Sequence, residues 1–348
     1  MASLIPAHHR AAILTEKTGP MTIQTRQTPT PAPNELLIKV HAIALNPVDY
    51  HQRDNGFPPV AQYPTILGSD VAGTIVAAGS DVPSHAPKVG ARVTALATGF
   101  FKGNLPDHGA FQEYVLVPFE CAAGIPANVN FEDAAVLPLA ICTAWNGWYG
   151  AGLDIQKKVT KKEAVLVWGG SSSVGSLAVQ SAKSMGFTVY TTASAKHHEY
   201  LKELGADKAF DYRDEKVIAR IIEQVQINNL KMNLAYGAVP DSLTPLQSIL
   251  QELKGSEIAK IAHAPVLPDD APKVKGIEAK FVFPPTEPEP LRERFAQIFA
   301  GWLENKLAAG KVQPSPRVRV VTGGLEGLNR ALDVLREGMS GTKIVVAL

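Results

Sequence analysis

The chain is poor in cysteine and in aromatic residues, and it has no excess of charge of either sign. Its 348 residues include 2 cysteines, 7% aromatic residues, and 34 basic against 33 acidic residues. Cys121 and Cys142 cannot form a disulfide framework and are not a Cys-x-x-Cys pair, which favours a reducing compartment. The net charge of +1, with both signs interspersed, argues against binding to nucleic acid or to a membrane surface.

Long hydrophobic runs are missing as well. The most apolar stretch, Ala134 to Trp145, is too short to span a bilayer and contains Pro138. The segment from Met1 to Arg10 has no apolar run of the kind found in signal peptides. We therefore expect a cytoplasmic protein. Its length predicts about two domains, and a hydrophobic content of 45% suffices for sizeable cores.

The chain does contain a strand, a turn of small residues and a helix, in that order. The run from Ala164 to Trp168 has the length of a buried strand, and the apolar residues after the turn recur at helical spacing. The turn fits the dinucleotide fingerprint Gly-x-Gly-x-x-Gly, with Ser172 in place of the second glycine. A serine there leaves the pyrophosphate slightly more distant and adds a hydroxyl that can bind it. We predict that the cofactor contacts this turn through Gly170, Ser171, Ser172, Ser173, Val174 and Gly175. The alternative is an ordinary strand-to-helix turn.

The residues after the second strand of this pattern favour NADPH over NADH. In NAD-binding proteins an Asp or Glu about 20 residues past the glycines binds the ribose 2′-hydroxyl. No carboxylate occurs between Gly175 and Glu199, and Ser194, Lys196 and His197 stand where a 2′-phosphate would lie. A hydroxyl, an ammonium and an imidazole suit a phosphate dianion. The alternative for Lys196 is a solvated position at the start of a helix.

The pattern of strands and helices changes along the chain. Short strands with Gly and Pro turns fill the first third and suggest a compact, partly open β-barrel. Strands and helices then alternate from Ala164 to about Ile261, which predicts βαβ units and a parallel sheet. A proline-rich connector, Pro284 to Pro290, leads to a long helix at 291–309, a final helix at 325–337 and a closing strand at 343–348.

These features resemble the medium-chain dehydrogenase/reductase superfamily. The resemblance rests on four motifs spread over the chain: Leu67 to Gly73, Gly169 to Gly175, Leu204 to Asp207, and Ser340 to Lys343. It implies an α/β fold in which a Rossmann-type parallel-sheet domain is inserted in a GroES-like β-rich domain. The implied domains are a GroES-like catalytic domain at 1–127, an NADP(H)-binding domain at 128–280 and a return to the catalytic domain at 281–348.

Within the superfamily the chain is similar to the fungal enoyl reductases that act in trans on polyketide synthases, and to quinone oxidoreductases. The segments Leu137 to Ala144 and Gly323 to Gly327 favour the enoyl reductases. The zinc alcohol dehydrogenases of the superfamily have a cysteine where Asn46 stands and a histidine where Ser69 stands. A catalytic zinc needs three protein ligands of the Cys, His or carboxylate type, so we predict no zinc. Without a Lewis acid, reduction of a C=C bond conjugated to a carbonyl is favoured, since hydrogen-bond donors can stabilise the charge on its oxygen.

The resemblance also implies site residues outside the glycine turn. Thr143 would lie near the nicotinamide or the acyl carbonyl, although a threonine in a helix also bonds to its own backbone. After Asn46, the candidates for the proton donor are Asp49, Tyr50 and His51, where His51 replaces a lysine that the trans-acting relatives often have. Asp49 has three further interpretations: it could hold the nicotinamide ribose, orient Asn46, or form part of a turn. Further cofactor contacts are expected at Pro47, Tyr212, Ala262, His263, Phe281, Val282 and Phe283.

The sequence thus predicts an NADPH-dependent reductase of α,β-unsaturated acyl thioesters. The substrate would be a small molecule or an acyl group tethered to a carrier domain, with a polyketide synthase as partner, and the protein would be a monomer or a homodimer. Two alternatives stay open: a quinone or enone oxidoreductase, and an NADPH-binding protein without turnover.

Overall fold

The computed structural model describes residues 5–159 and 162–348 and divides into two compact units. One unit runs to Leu139 and resumes from Phe295 to Leu348, and the other comprises Ala140–Arg294. The predicted boundaries at 127/128 and 280/281 lie earlier in the chain than these. The domain boundaries that we predict from the sequence stay a prediction.

Strands and helices are numbered in chain order. The strands are β1 (His8–Ile13), β2 (Thr22–Gln27), β3 (Glu35–Ala44), β4 (Asp70–Ala78), β5 (Arg92–Leu96), β6 (Tyr114–Pro118), β7 (Ala122–Gly124), β8 (Glu163–Trp168), β9 (Thr188–Thr192), β10 (Lys208–Phe210), β11 (Lys231–Gly237), β12 (Ala259–His263), β13 (Ile277–Phe281), β14 (Arg317–Val321) and β15 (Thr342–Ala347). The helices are α1 (Pro47–Asn55), α2 (Phe131–Ala135), α3 (Pro138–Gly150), α4 (Ser173–Met185), α5 (His198–Glu203), α6 (Val217–Ile227), α7 (Leu243–Leu253), α8 (Pro288–Ala296), α9 (Asn305–Ala308) and α10 (Leu328–Arg336). A π-helix, Gln297–Glu304, joins α8 to α9. Within the part of the chain described, no helix combines the length and the apolar character that a membrane span requires.

The unit that ends at Leu348 is rich in β-strands. Its seven-stranded sheet has the order β14-β15-β3-β4-β5-β7, and β6 pairs with the first half of β3. All pairs in this sheet are antiparallel except the pair of β14 and β15. Strand β3 is central because it pairs with β4, β6 and β15, and its apolar side chains are buried along most of its length. From the sequence alone we predict two separate strands here, Glu35 to Val40 and His41 to Leu45, and the structure joins them into one.

The other unit is built on a six-stranded parallel sheet. Its strand order is β10-β9-β8-β11-β12-β13, and every neighbouring pair is parallel. Counted from β8, this is the order 3-2-1-4-5-6 of doubly wound dinucleotide-binding sheets, in which the ligand binds at the carboxyl ends of the strands where the order reverses. The helices of this unit cover an apolar core that includes Leu166, Tyr190, Ile221, Leu246 and Ile261. The predicted Rossmann-type sheet is confirmed, and its reversal point lies between β8 and β11.

Candidate active site

The glycine turn lies at the carboxyl end of β8 and leads into α4. Ser172 is the N-cap of α4, where its Oγ accepts a hydrogen bond from the backbone N–H of Gly175 at 3.0 Å. A Cβ atom on Gly170 would lie 2.0 Å from Thr191 Oγ1, and one on Gly175 would lie 2.2 Å from the Gly169 carbonyl oxygen. Both positions therefore require glycine for close packing, whereas the middle position accommodates a serine that caps the helix. A helix N-terminus at this edge of the sheet suits a pyrophosphate.

The predicted 2′-phosphate residues follow the end of β9. Ser194 is buried, and Lys196 is exposed on a 3₁₀-helix formed by Ala195–His197. The structure adds a carboxylate that the sequence interpretation missed. Asp211, which follows β10, accepts hydrogen bonds from the backbone N–H groups of Ala195 at 3.3 Å and Arg213 at 3.0 Å. The hydrogen bond from the backbone of Arg213 is the largest cause that lowers the pKa of Asp211. The carboxylate is therefore ionised, and its hydrogen bonds fix the backbone at Ala195 and Arg213.

Tyr212 and His263 lie at the ends of strands β10 and β12. The ring of Tyr212 is exposed, with the Arg213 guanidinium 5.2 Å from its centroid. Ala262 and His263 are buried, and His263 Nδ1 donates to the Pro265 carbonyl at 2.8 Å while its Nε2 lies 3.1 Å from Ser242 Oγ. Burial lowers the pKa of His263 below 6.5, so its ring is neutral at pH 7.

Phe281, Val282 and Phe283 lie at the end of β13. The two phenylalanine rings are 41% and 50% exposed, with their centroids 6.1 Å apart. Val282 is buried and donates its backbone N–H to the carbonyl of His263 at 3.0 Å. These three residues therefore group with the six-stranded sheet, whereas the sequence interpretation placed them at the start of the return to the first domain.

A buried polar cluster precedes α1 in the β-rich unit. The side chain of Asn46 donates through Nδ2 to Asp70 Oδ2 at 2.9 Å and accepts at Oδ1 from Lys343 Nζ at 2.6 Å. Lys343 Nζ also lies 2.9 Å from Asp70 Oδ2, and Asp70 Oδ1 accepts from the backbone N–H of Leu139 at 2.6 Å. Asn46, Asp70 and Lys343 are only 6%, 0% and 3% exposed. Asn46 therefore belongs to an internal network with two charged residues that the sequence interpretation did not assign to the site.

Asp49 is buried at the first turn of α1. Its Oδ2 accepts a hydrogen bond from the backbone N–H of Asn46 at 2.7 Å. Loss of solvation raises the pKa of Asp49 to about 7, and the nearby carboxylate of Asp70 adds to this increase. A carboxyl at this place satisfies a backbone donor that the helix itself leaves without a partner.

The other predicted catalytic residues lie on two helices. The residues after Asn46 form helix α1, which begins at Pro47, a residue well suited to the first helical position. On α1, Tyr50 is half-buried and His51 is exposed, and their rings lie 4.3 Å apart. Thr143 is half-buried on α3, where its carbonyl accepts from the Tyr236 hydroxyl at 2.9 Å. The structure thus brings Asn46 and Asp49 together, and it places Thr143 on a different helix.

Comparison with known proteins supports the fold. The family model of the alcohol dehydrogenase GroES-like domain matches residues 32–127, and that of the zinc-binding dehydrogenase matches residues 173–250. The trans-enoyl reductase tndF of Aspergillus flavipes is 46% identical over 342 residues, which cover 98% of this chain and 99% of that protein. The trans-enoyl reductase tazE of Aspergillus terreus is 46% identical over 295 residues, which cover 84% of this chain and 97% of that protein.

Solved structures with the same fold include two classes of dehydrogenase relatives. An alcohol dehydrogenase superfamily protein from Novosphingobium aromaticivorans has a TM-score of 0.79 and 25% identity, covering 98% of this chain and 99% of that one. The quinone oxidoreductase from Coxiella burnetii has a TM-score of 0.71 and 26% identity, with the same coverage. The similarity spans almost the full chain and both parts of the fold. The chain is a member of the medium-chain dehydrogenase/reductase superfamily, with a Rossmann-type sheet inserted in a GroES-like domain.

Proposed function

We propose that this protein is an NADPH-dependent enoyl reductase that reduces the C=C bond of an α,β-unsaturated acyl thioester without a metal. The observation that carries the proposal is the similarity to tndF, a protein named trans-enoyl reductase that this chain matches from end to end at 46% identity. The trans-enoyl reductase tazE, with the same identity, supports it independently. By analogy, the acyl group would be tethered to a carrier domain of a polyketide synthase.

The cofactor would bind at the carboxyl ends of β8 and β9. The turn from Gly170 to Gly175 would hold the pyrophosphate, since backbone N–H groups at the start of α4 and the Ser172 hydroxyl cluster there. Ser194, Lys196 and His197 would hold the 2′-phosphate. The exposure of Lys196 supports this assignment, as does the engagement of the nearby Asp211 carboxylate with two backbone N–H groups. A reduced nicotinamide supplies the hydride for the reaction.

The residues that stand where the zinc alcohol dehydrogenases bind their metal do not fit zinc. In the described residues, no group of three His, Cys, Asp or Glu side chains is arranged to hold a metal ion. The oxygens of Asn46 and Asp70 instead bind the ammonium of Lys343, at 2.6 and 2.9 Å. A fixed positive charge at this distance disfavours a divalent cation at the same oxygens. These contacts support a metal-independent reaction.

Reduction of a conjugated C=C bond also requires a proton for the enolate that remains after hydride addition. Of the three predicted donors, Asp49 is buried and holds the backbone of Asn46, so we assign it to the support of α1. Tyr50 and His51 keep the roles of candidate donors, since their rings are adjacent and at least partly accessible to solvent. Thr143 is retained as a candidate contact of the acyl carbonyl.

The competing function is a quinone oxidoreductase, favoured by the similarity to the protein from Coxiella burnetii. NADPH oxidation measured with crotonyl-type thioesters and with benzoquinones separates the two. Our proposal predicts a higher kcat/KM with the thioesters. Turnover with quinones alone would refute it in favour of the competing function, and NADPH binding without any turnover would show a non-catalytic protein.

A further inference from the structure

Asp70 uses both of its carboxylate oxygens to hold the starts of two helices. Its Oδ2 accepts from the side chain of Asn46, the N-cap of α1, and its Oδ1 accepts from the backbone N–H of Leu139 in the first turn of α3. Both contacts lie within the β-rich unit. Because Asp70 is the first residue of β4, the two helix starts are fixed to the central sheet of that unit.

Lys343 makes this arrangement feasible in a dry environment. A single buried carboxylate would lose several kcal/mol of solvation and would tend to take up a proton. The Lys343 ammonium, 2.9 Å away on β15, compensates that charge and also binds Asn46. A buried ion pair is often no more stabilising than apolar residues of the same volume. Global stability is therefore a poor explanation for this pair, and the geometry that it imposes on the residues at the start of α1 is a better one.

The two helices carry the predicted catalytic residues. Tyr50 and His51 lie one turn into α1, and Thr143 lies one turn beyond Leu139 on α3. We propose that Asp70 is a positioning residue for the reduction, with Lys343 as its counter-ion, and that it sets the places of Tyr50 and His51 by fixing the start of α1. This inference rests on the proposed reductase function. It requires no contact between Asp70 and the substrate.

The main test is Asp70→Glu. The longer side chain keeps the negative charge beside Lys343 but shifts the acceptor oxygens relative to Asn46 and Leu139. We expect kcat for enoyl thioester reduction to fall by about 10- to 100-fold, the range typical for loss of a group that orients reacting residues. The Kd for NADPH, measured by fluorescence, should stay within about threefold, since the cofactor turn lies in the other unit. If Asp70 served only to balance the charge of Lys343, Asp70→Glu would instead retain the full kcat.

A second variant separates position from stability. Asp70→Asn combined with Lys343→Met removes both charges together and leaves no unpaired ion in the core. We expect it to remain folded, with a thermal midpoint near that of the wild type, and to lose kcat as Asp70→Glu does. A double variant with the kcat of the wild type would overturn the proposal.

The matched control is Glu35→Gln. Glu35 is also a buried carboxylate paired with a lysine, at 2.8 Å from Lys102 Nζ, but it contacts His108 at 2.7 Å and neither start of the two helices. It should lose stability and keep kcat. Equal loss of kcat in Glu35→Gln and Asp70→Glu would overturn the positioning role.

A wild-type protein that reduces only quinones would refute the enoyl reductase function, while the same comparison of variants with quinone would still decide the role of Asp70. A wild type without any turnover would refute both.

Discussion

Lys196 carries most of the argument for NADPH. It stands beside the buried Ser194, on a short 3₁₀-helix that follows the second strand of the nucleotide sheet. The carboxylate of Asp211, which the fold brings to this segment, accepts hydrogen bonds from the backbone N–H groups of Ala195 and Arg213. A ribose 2′-phosphate would then meet an ammonium and a hydroxyl, and a ribose 2′-hydroxyl would gain little from either.

The substitution Lys196→Ala should weaken NADPH binding by about 10- to 100-fold, because hydrogen bonds to charged groups contribute about 1.5–3 kcal/mol. The KM for NADH should change by less than about twofold, since NADH has no 2′-phosphate. Steady-state kinetics with both cofactors measures this directly. Lys202→Ala is the matched control, because Lys202 is an exposed lysine on the following helix that pairs with Glu199 at 2.7 Å. Equal losses for both cofactors would contradict the assignment.

Asp49 should give the wild type a measurable pH dependence of stability. Burial raises its pKa from 3.8 to about 7, so the folded state keeps this proton up to about pH 7 whereas the unfolded chain loses it near pH 4. The free energy of unfolding therefore falls as the pH rises from about 4 to 7, by on the order of 4 kcal/mol from this residue. Asp49→Asn keeps an oxygen that can accept from Asn46 but cannot ionise.

Urea unfolding of the wild type and Asp49→Asn at pH 5 and pH 8 tests this expectation. The free energy of unfolding of Asp49→Asn, relative to that of the wild type, should be higher at pH 8 than at pH 5. Parallel pH dependence of the two proteins would show that Asp49 is not protonated in the folded state at pH 5.

Some of the site residues could not be inferred from sequence. Asp70 and Lys343 are far apart in the chain, and a charged residue is predicted to be exposed unless its partner is known. The sequence did contain one signal, because Asp70 begins an otherwise mostly apolar strand and Lys343 lies within another. Asp211 was missed for the same reason, because its proximity to Ala195 depends on the pairing of β9 with β10. The glycine turn was found because its requirements are local.

The segment from β8 to α4 shows how far local pattern determines an element. The predicted strand from Ala164 to Trp168 corresponds to β8, the second strand of the pattern corresponds to β9, and the intervening helix has Ser172 as its cap. Strand β2 was missed because its sequence, Thr-Ile-Gln-Thr-Arg-Gln, is mostly polar, and it forms through pairing with β1 alone. Helix α1 was not predicted because its residues are mostly polar and show no helical apolar repeat.

The start of α4 should tolerate no side chain at Gly175. In Gly175→Ala the new methyl group would lie 2.2 Å from the Gly169 carbonyl oxygen, so the turn or the helix must shift. We expect a loss of about 1–3 kcal/mol in stability and at least a tenfold weaker affinity for NADPH. Thermal unfolding and NADPH fluorescence titration measure the two effects.

Gly150→Ala is the matched control for this prediction. Gly150 ends α3, and a Cβ atom there would meet no atom within 4 Å. Its replacement should leave NADPH affinity unchanged and alter stability by less than about 1 kcal/mol. If Gly175→Ala behaved like this control, close packing at the turn would not explain the glycine.

The molecule combines a six-stranded parallel sheet in the order 3-2-1-4-5-6 with a β-rich unit in which the ammonium of Lys343 binds Asn46 and Asp70. Alternating strands and helices in the sequence were sufficient to predict the sheet. The β-rich unit was predicted only in outline, because its strand pairs connect distant parts of the chain, such as β3 with β15. The function that we propose for the protein is reduction of an activated alkene by hydride transfer without a Lewis acid.

The most direct test follows deuterium from the cofactor into the product. Chelator-treated protein is incubated with a crotonyl thioester and NADPH deuterated at C4 of the nicotinamide, using each C4 epimer in turn, and the product is analysed by mass spectrometry and NMR. We predict one deuterium at the β-carbon from one of the two epimers, one solvent hydrogen at the α-carbon, and no dependence on added zinc. A product without deuterium, or a reaction that occurs only after zinc is added, would contradict the account.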